Sequence, residues 1–474
     1  MKQTRAILGA LALTGCGSLS GVAGDPVAVF PVAPDAPERW AAAGVTGETP
    51  AADWLAQFND PVMEALVGET LQANPSIRAQ YFTVQAVRAQ SRSVYGRSLP
   101  NVSAGLSGGV TSNYSEIADD RFTDPTYSLG LDASWTADLW GRIRASIEAS
   151  EADLAASEAD LASARLSLAA QTAIAWTDLN EAVAQERVAI QTYDVRNRTL
   201  SLTERRFARG VVDSLDVRLA RSALASAEAS IAARKQAREN AVRRLEILLG
   251  RYPQNAIEAP GRLPDLAPIS AAGTPVMLLT RRPDVAASEA RVVAAGLRAE
   301  QARLAVLPSL SLTASVGTTE TDLADLVDPT RIAANAIASL AQPVFNGGAL
   351  KADRDAALAS AESVLANYVA SVLLAWREVE EAIASDTYLA QQVDAQQRAL
   401  DEAMKAEELA TRQYSNGLIT IFNLIDAQTR RLNAESTLIS ARSARVSNRI
   451  AFHLAVGGGI PGEPVSEPVE NQAP

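Results

Sequence analysis

The order of motifs along this chain occurs twice, and that duplication constrains the fold more than any other feature of the sequence. From Asp53 onward the pattern is helix, strand, strand, long helix, turn, helix, and it returns after a proline-rich connector at about 251–282. Leu99-Pro100-Asn101-Val102-Ser103 matches Leu307-Pro308-Ser309-Leu310-Ser311, and Phe207-Ala208-Arg209-Gly210 matches Tyr414-Ser415-Asn416-Gly417. Leu139-Trp140-Gly141 has its counterpart near Val344-Phe345-Asn346-Gly347-Gly348. The pattern predicts a first repeat over 53–250: a helix, strands at about 100–113 and 125–139, a long helix at about 141–208, and a helix at about 213–250. The second repeat, 283–456, has a helix, strands at about 308–318 and 330–343, and helices at about 347–415 and 418–456.

The strand segments alternate strictly. Val102, Ala104, Leu106 and Val110 fall on one face and Ser103, Gly105, Ser107 and Thr111 on the other. Tyr127, Leu129, Leu131, Ala133, Trp135 and Leu139 oppose Ser128, Asp132, Ser134, Thr136 and Asp138; Leu310, Leu312, Ala314 and Val316 repeat the pattern, and the fourth segment alternates more weakly. Such alternation fits a membrane barrel strand, and it equally fits a half-buried strand pair in a soluble sandwich. The strand count adds a condition. Four strands cannot close a barrel, for which about eight is the minimum, and an open edge in lipid leaves backbone groups unsatisfied. If these strands cross a membrane, several chains share one barrel.

Between Gly141 and Ala208 there is neither proline nor glycine, which gives a helix of roughly 100 Å. Ile147, Leu154, Leu161 and Leu168 recur every seven residues, as do Leu358, Leu365, Val372 and Val379; this is the coiled-coil period. A plain coiled-coil spacer accounts for these helices but not for the strands. Each long helix ends at a glycine-containing turn, Arg209–Asp213 or Asn416–Thr420, at the end farthest from the strands.

The chain is 47% hydrophobic but only 5% aromatic, much of the apolar part being alanine, which favours long, closely packed helices. Its net charge of -12 argues against a nucleic-acid surface. No run of 18 apolar residues occurs beyond the extreme N-terminus, so no transmembrane helix is expected. One cysteine and one histidine exclude an internal disulfide and a His/Cys metal site. Residues 1–15 have the layout of a secretory signal: a basic start, an apolar run from Ala6 to Leu13, and Leu13-Thr14-Gly15 before Cys16. An ordinary signal with an incidental cysteine is one reading. The other rests on similarity to a bacterial lipobox, which implies a diacylglycerol and an N-acyl chain on Cys16 and no other cofactor; Gly17 then favours outer-membrane sorting. Residues 16–52 read as an extended tether, and 457–474 as a disordered, acidic tail.

Together these residues resemble the outer membrane factor (TolC-like) family, and within it the lipoprotein branch serving resistance-nodulation-division (RND) pumps. Leu278-Leu279-Thr280-Arg281-Arg282-Pro283-Asp284-Val285 carries the most specific match, with Asp138-Leu139-Trp140-Gly141-Arg142 and Pro343-Val344-Phe345-Asn346-Gly347-Gly348 at the strand-to-helix passages. The resemblance implies an α+β membrane protein: a homotrimer whose 12-stranded β-barrel, four strands per chain, continues into a 12-helix coiled-coil α-barrel with a mixed equatorial domain. It implies a passive exit duct for drugs or other small molecules in the outer membrane of a Gram-negative bacterium. The implied partners are outer-membrane lipids, a periplasmic adaptor (membrane fusion protein) and an inner-membrane RND-type transporter. By the same resemblance the tips Phe207, Arg209, Gly210, Ser214, Tyr414, Asn416 and Gly417 meet the adaptor, and Phe422 and Asp426 form the periplasmic aperture. Position 421 is isoleucine where the family often has a small hydroxyl residue, which Ser214 keeps in the first repeat. A ring of Phe422 would dewet the bore and a ring of Asp426 would favour cations; Asp426 as a solvated helix-face carboxylate is the other reading.

Other functions make different demands. A protein or metal-ion export duct would share the architecture, although a metal route calls for soft ligands, and the chain lacks Met and His clusters. A structural periplasmic coiled-coil lipoprotein would conduct nothing. An enzyme would need paired groups, and Glu380 and Glu381, adjacent in sequence, point to different helix faces; no enzymatic activity is expected.

Overall fold

The structure, a computed structural model, describes residues 37–42, 45, 47–48, 53–116 and 119–459. The signal segment, Cys16, most of the tether and the tail beyond 459 lie outside the described residues. After a short 3-10 turn at Leu55–Phe58, α1 (Pro61–Ala73) and α2 (Pro75–Gly96) lead into β1 (Asn101–Ser115), β2 (Asp120–Ala137), α3 (Arg142–Ala208) and α4 (Ser214–Leu248). Beyond an extended connector come α5 (Pro275–Arg281), α6 (Pro283–Leu304), β3 (Ser309–Glu320), β4 (Ala333–Ala341), α7 (Ala349–Ser415) and α8 (Ile421–Ala455).

The two repeats agree in length as well as in order. α3 and α7 are 67 residues each, α4 and α8 are 35 each. Each long helix follows a glycine in the left-handed region, Gly141 at φ 83° and Gly348 at φ 85°, where a side chain costs about 1–2 kcal/mol. Asp138 accepts from the Ile143 and Arg144 N–H groups, satisfying donors that the start of α3 leaves open.

The joints ahead of α2 and α6 also correspond. Asn74 closes α1 and caps α2, with Pro75 at the first helical position; its side-chain amide donates at 2.7 Å to the Leu248 carbonyl at the end of α4. In the second repeat Arg282, ahead of Pro283, donates to the Ala455 carbonyl at the end of α8 and pairs with Asp284 and Glu378 at 2.6 Å. The Leu278–Val285 motif thus carries a clamp between the α5–α6 joint and α8.

One core gathers Trp54, Phe58, Trp176, Leu179, Val242 and Leu245 where α1, α3 and α4 meet. A second gathers Leu278, Val285, Val372, Val379 and Phe452, and a small third lies at the tip around Tyr414, Ile421 and Leu424. α6 packs on both α3 and α7, while among the described residues α2 packs chiefly on α3. Part of α7 is apolar enough by length and composition to cross a membrane, and only 6% of that window is buried. That apolar flank is spread among small residues, so no continuous apolar run betrays it.

Several expected boundaries change. The helix opening the first repeat is two helices, because Asn74-Pro75 cannot continue one. The connector stops at Gly273: Thr274 caps α5 by accepting from Met277, and Leu278 buries its side chain. β2 begins at Asp120 and runs through Pro125. There β2 pairs with β1 only, since β3 ends opposite Tyr127, and an edge tolerates a proline without N–H. β4 is shorter than 330–343 because Asp328 caps a 3-10 turn at Pro329–Arg331. Gly457 and Gly458 return N–H groups to the carbonyls of Leu454 and His453, so the first residues assigned to the tail form the cap of α8. The end of the tether is tied down: Trp40 donates to the Gly273 carbonyl, and the Ala41 and Ala42 N–H groups donate to Glu380.

Candidate functional site

The sheet is antiparallel in the order β1-β2-β3-β4, leaving the outer edges of β1 and β4 unpaired among the described residues. Register sorts its faces. Ala104, Leu131, Val316 and Ala334 form one cross-strand row, and Ser103, Asp132, Ser315 and Asn335 the next. Val102, Leu106 and Val110 on the apolar face are 66%, 69% and 70% exposed. A bare apolar face of this size marks a surface meant for lipid or another apolar partner. On the polar face Gly105, Gly130 and Gly317 share a row, and a Cβ on Gly317 would stand 2.4 Å from the Leu129 carbonyl oxygen. Neighbouring backbone bends across that face, which only glycine permits. At the strand-to-helix passages Trp135 donates to the Ser98 carbonyl and Trp140 to the Pro308 carbonyl, both at 2.8 Å. Val344 and Phe345 of the second passage are almost wholly exposed.

At the opposite end the two turns have the same backbone. Gly210 donates to Phe207 and Val211 to Arg206; Gly417 donates to Tyr414 and Leu418 to Gln413. Both glycines are left-handed, completing a pair of Schellman caps. Phe207, Arg209, Gly210, Ser214, Asn416 and Gly417 are exposed around these turns. Tyr414 is not. Its side chain is 1% exposed, its hydroxyl lies 2.9 Å from the Thr203 hydroxyl, and the Arg206 guanidinium sits 4.6 Å from its ring centre while donating to its carbonyl. Of the residues that the resemblance assigns to the adaptor contact, Tyr414 is thus the one whose surface is taken up inside the tip. Ile421 is buried beside it in the same small core, so the hydroxyl missing there is replaced by packing.

Phe422 is 68% exposed on α8. One turn on, Asp426 is exposed and bonded to Arg430 at 2.8 Å. Its charge comes with a partner, so a ring of Asp426 would be a ring of ion pairs.

Sequence reasoning missed a buried charge cluster between α7, α8 and the connector. Asp386 is 3% exposed and faces Arg449 at 3.2 Å and Arg445 at 3.5 Å. Arg449 donates to the Ala267 carbonyl and the Ile269 N–H donates to Asp386. Burial holds the Arg449 guanidinium below its ordinary range, with Asp386 only partly opposing that shift. The pair fastens the connector to the second repeat, as Glu246 and Asn180 fasten it to the first through its N–H groups at 255, 256, 261 and 262. Only the i, i+4 spacing of Arg445 and Arg449 was visible beforehand.

A family model described as outer membrane efflux protein matches residues 66–251 and 274–458, one segment per repeat. The cation efflux system protein CusC of Escherichia coli is 29% identical over 417 residues, covering 86% of this chain and 88% of that one. The pyoverdine export outer membrane protein OpmQ of Pseudomonas aeruginosa is 29% identical over 470 residues, covering 97% of each. The solved outer-membrane channel OprN superposes with a TM-score of 0.86 at 28% identity, covering 93% of this chain and 100% of that one. With a bare apolar sheet, unpaired edges and twin helical tips on one duplicated frame, the chain belongs to the outer membrane efflux protein family.

Proposed function

We infer that this efflux protein works as one third of a closed ring, a trimer whose shared twelve-stranded barrel in the outer membrane opens into a twelve-helix periplasmic duct. The observation that carries the reading is the pair of unpaired outer edges on β1 and β4, which lipid does not tolerate and which a neighbouring copy would join. The helices support it. Within the chain α6 fills the groove between α3 and α7; among the described residues its counterpart α2 packs chiefly on α3 and leaves Tyr81, Phe82 and Tyr95 about half exposed. The apolar flank of the next copy's α7 fits that gap. Repetition of the internal interface between chains gives a heterologous contact that closes as a ring, and the number three rests on the family resemblance.

The duct is passive. Phe207, Arg209, Ser214 and Asn416 present the surface for a periplasmic adaptor, through which an inner-membrane transporter of the RND type feeds it. Phe422 lines the aperture, Cys16 carries acyl chains as a supporting anchor, and small organic molecules are the cargo. Recording from purified protein in planar bilayers tests the duct: discrete conductance is expected, larger for Phe422→Ala with Asp426→Ala, and no conductance under any condition would sink it. Loss of the lipid mass in Cys16→Ser checks the anchor. A metal-ion duct is the second reading, since a cation efflux protein is among the relatives; a metal route would call for soft ligands, and the segment from Ile421 to Ala427 carries no Met, Cys or His.

A further inference from the structure

We propose that the loop between β3 and β4 is a collar against the outer-leaflet lipids, folded down the outside of the barrel, and not a lid over its exit. The proposal rests on the apolar face of the sheet being the lipid face. Thr318 belongs to that face, since it is two residues from Val316 and pairs with Leu129. It is nevertheless buried, because the loop returns onto it: the Thr318 hydroxyl donates at 2.8 Å to the Leu326 carbonyl, and Leu326 is 5% exposed. The 3-10 turn bearing Leu326 packs on both β2 and β3, the middle of the sheet, away from the edges that neighbouring copies would occupy.

The side chains divide in a way that suits this position. Arg331 draws Glu320, Asp325 and Asp328 to itself within 3.6 Å. Asp322 and Asp328 also cap the backbone N–H groups of Ala324 and Thr330. The carboxylates are thereby occupied, while Leu323, Val327 and Ile332 are 59%, 77% and 53% exposed. Height agrees as well. A tilted strand crosses the hydrocarbon in about 9–11 residues, and β3 has 12 with Thr318 near its outer end, so the loop sits at the outer boundary of the acyl region.

Fluorophore-labelled cysteines in full-length protein, reconstituted in phosphatidylethanolamine–phosphatidylglycerol vesicles, test this with nitroxide-bearing acyl chains and aqueous iodide as quenchers. Unsubstituted protein measures any label taken by Cys16. Val327→Cys is expected to be quenched several-fold more by lipid nitroxide than by iodide, as is Leu106→Cys on the apolar face of β1; Ser107→Cys on the polar face should show the reverse. Iodide-dominated quenching at Val327 beside lipid-dominated quenching at Leu106 overturns the collar and leaves the barrel standing. Protection of Val327 from both quenchers places it in a protein contact and also overturns it. An aqueous Leu106 sinks the membrane reading and the collar together. In bilayers Val327→Asp should leave single-channel conductance unchanged; a change of twofold or more would put the loop in the exit path.

Discussion

The two tips share one backbone and differ in where their side chains point. Each closes with the same two hydrogen bonds around a left-handed glycine, yet Phe207 is 47% exposed and Tyr414, at the same place in the second repeat, is 1% exposed. Ser214 faces out where Ile421 packs in. The equator shows the same divergence: Leu179 and Val242 pack in the first core, while their counterparts Asp386 and Arg449 form a buried ion pair. Duplication has kept the backbone bonding, which fixes helix ends and crossings, and has let the side chains at matched positions take opposite roles. A role assigned to one repeat does not transfer to the other by alignment alone.

The largest effect should come from the equatorial pair. Asp386→Ala leaves two arginines buried without their carboxylate and should cost about 3–5 kcal/mol in chemical denaturation. Asp386→Leu with Arg449→Val rebuilds the apolar pair of the first repeat and should recover part of that loss, Arg445 still lacking its carboxylate; a double variant as unstable as the single one would break the comparison. Next, Tyr414→Ala should cost about 3 kcal/mol or more, whereas Phe207→Ala should change stability by less than about 0.5 kcal/mol while weakening adaptor capture in a pull-down. Equal destabilisation would show that the tips are alike after all.

His453 offers a third test, at the position of Glu246 in the first repeat. It is buried against Trp54, Phe58 and Phe452, and burial, with Arg449 adding to it, lowers its pKa from 6.5 to about 3. The folded state holds it neutral, so its contribution is intact above pH 6.5 and is lost as the unfolded chain gains a proton that the folded chain refuses. Stability should fall by about 1.4 kcal/mol per unit below pH 6.5, or about 2 kcal/mol at pH 5. His453→Gln should flatten that slope, and an unchanged slope would assign it to other groups. The smallest effect concerns the turns. Gly210→Ala should cost about 1 kcal/mol for its left-handed backbone. Gly417→Ala should cost somewhat more, because its Cβ would meet the Arg206 guanidinium at 3.3 Å, while nothing lies within 4 Å at Gly210. Thermal denaturation of the two variants side by side resolves the order.

Much of the frame was legible because it depends on local rules. A stretch without proline or glycine makes a long helix, and strict alternation makes the strands whose faces register later pairs. Pro125 misled because a proline reads as a strand boundary unless its neighbours across the sheet are known. The burial of Tyr414 was not legible because it is set by Arg206 and Thr203, more than 200 residues away in sequence. The Asp386 cluster was invisible for the same reason: an acid on one helix and arginines on another become a pair only once α7 and α8 are packed.

The clamps at Asn74 and Arg282 reach beyond their own neighbourhood. Each pins the far end of a 35-residue helix whose other end carries a tip turn, making α4 and α8 levers about 50 Å long. At that length a tilt of about 5° at the fulcrum corresponds to roughly 5 Å at the tip. Because α4 packs on α3 and α8 on α7, any tilt about these joints would have to carry the long helices along with it.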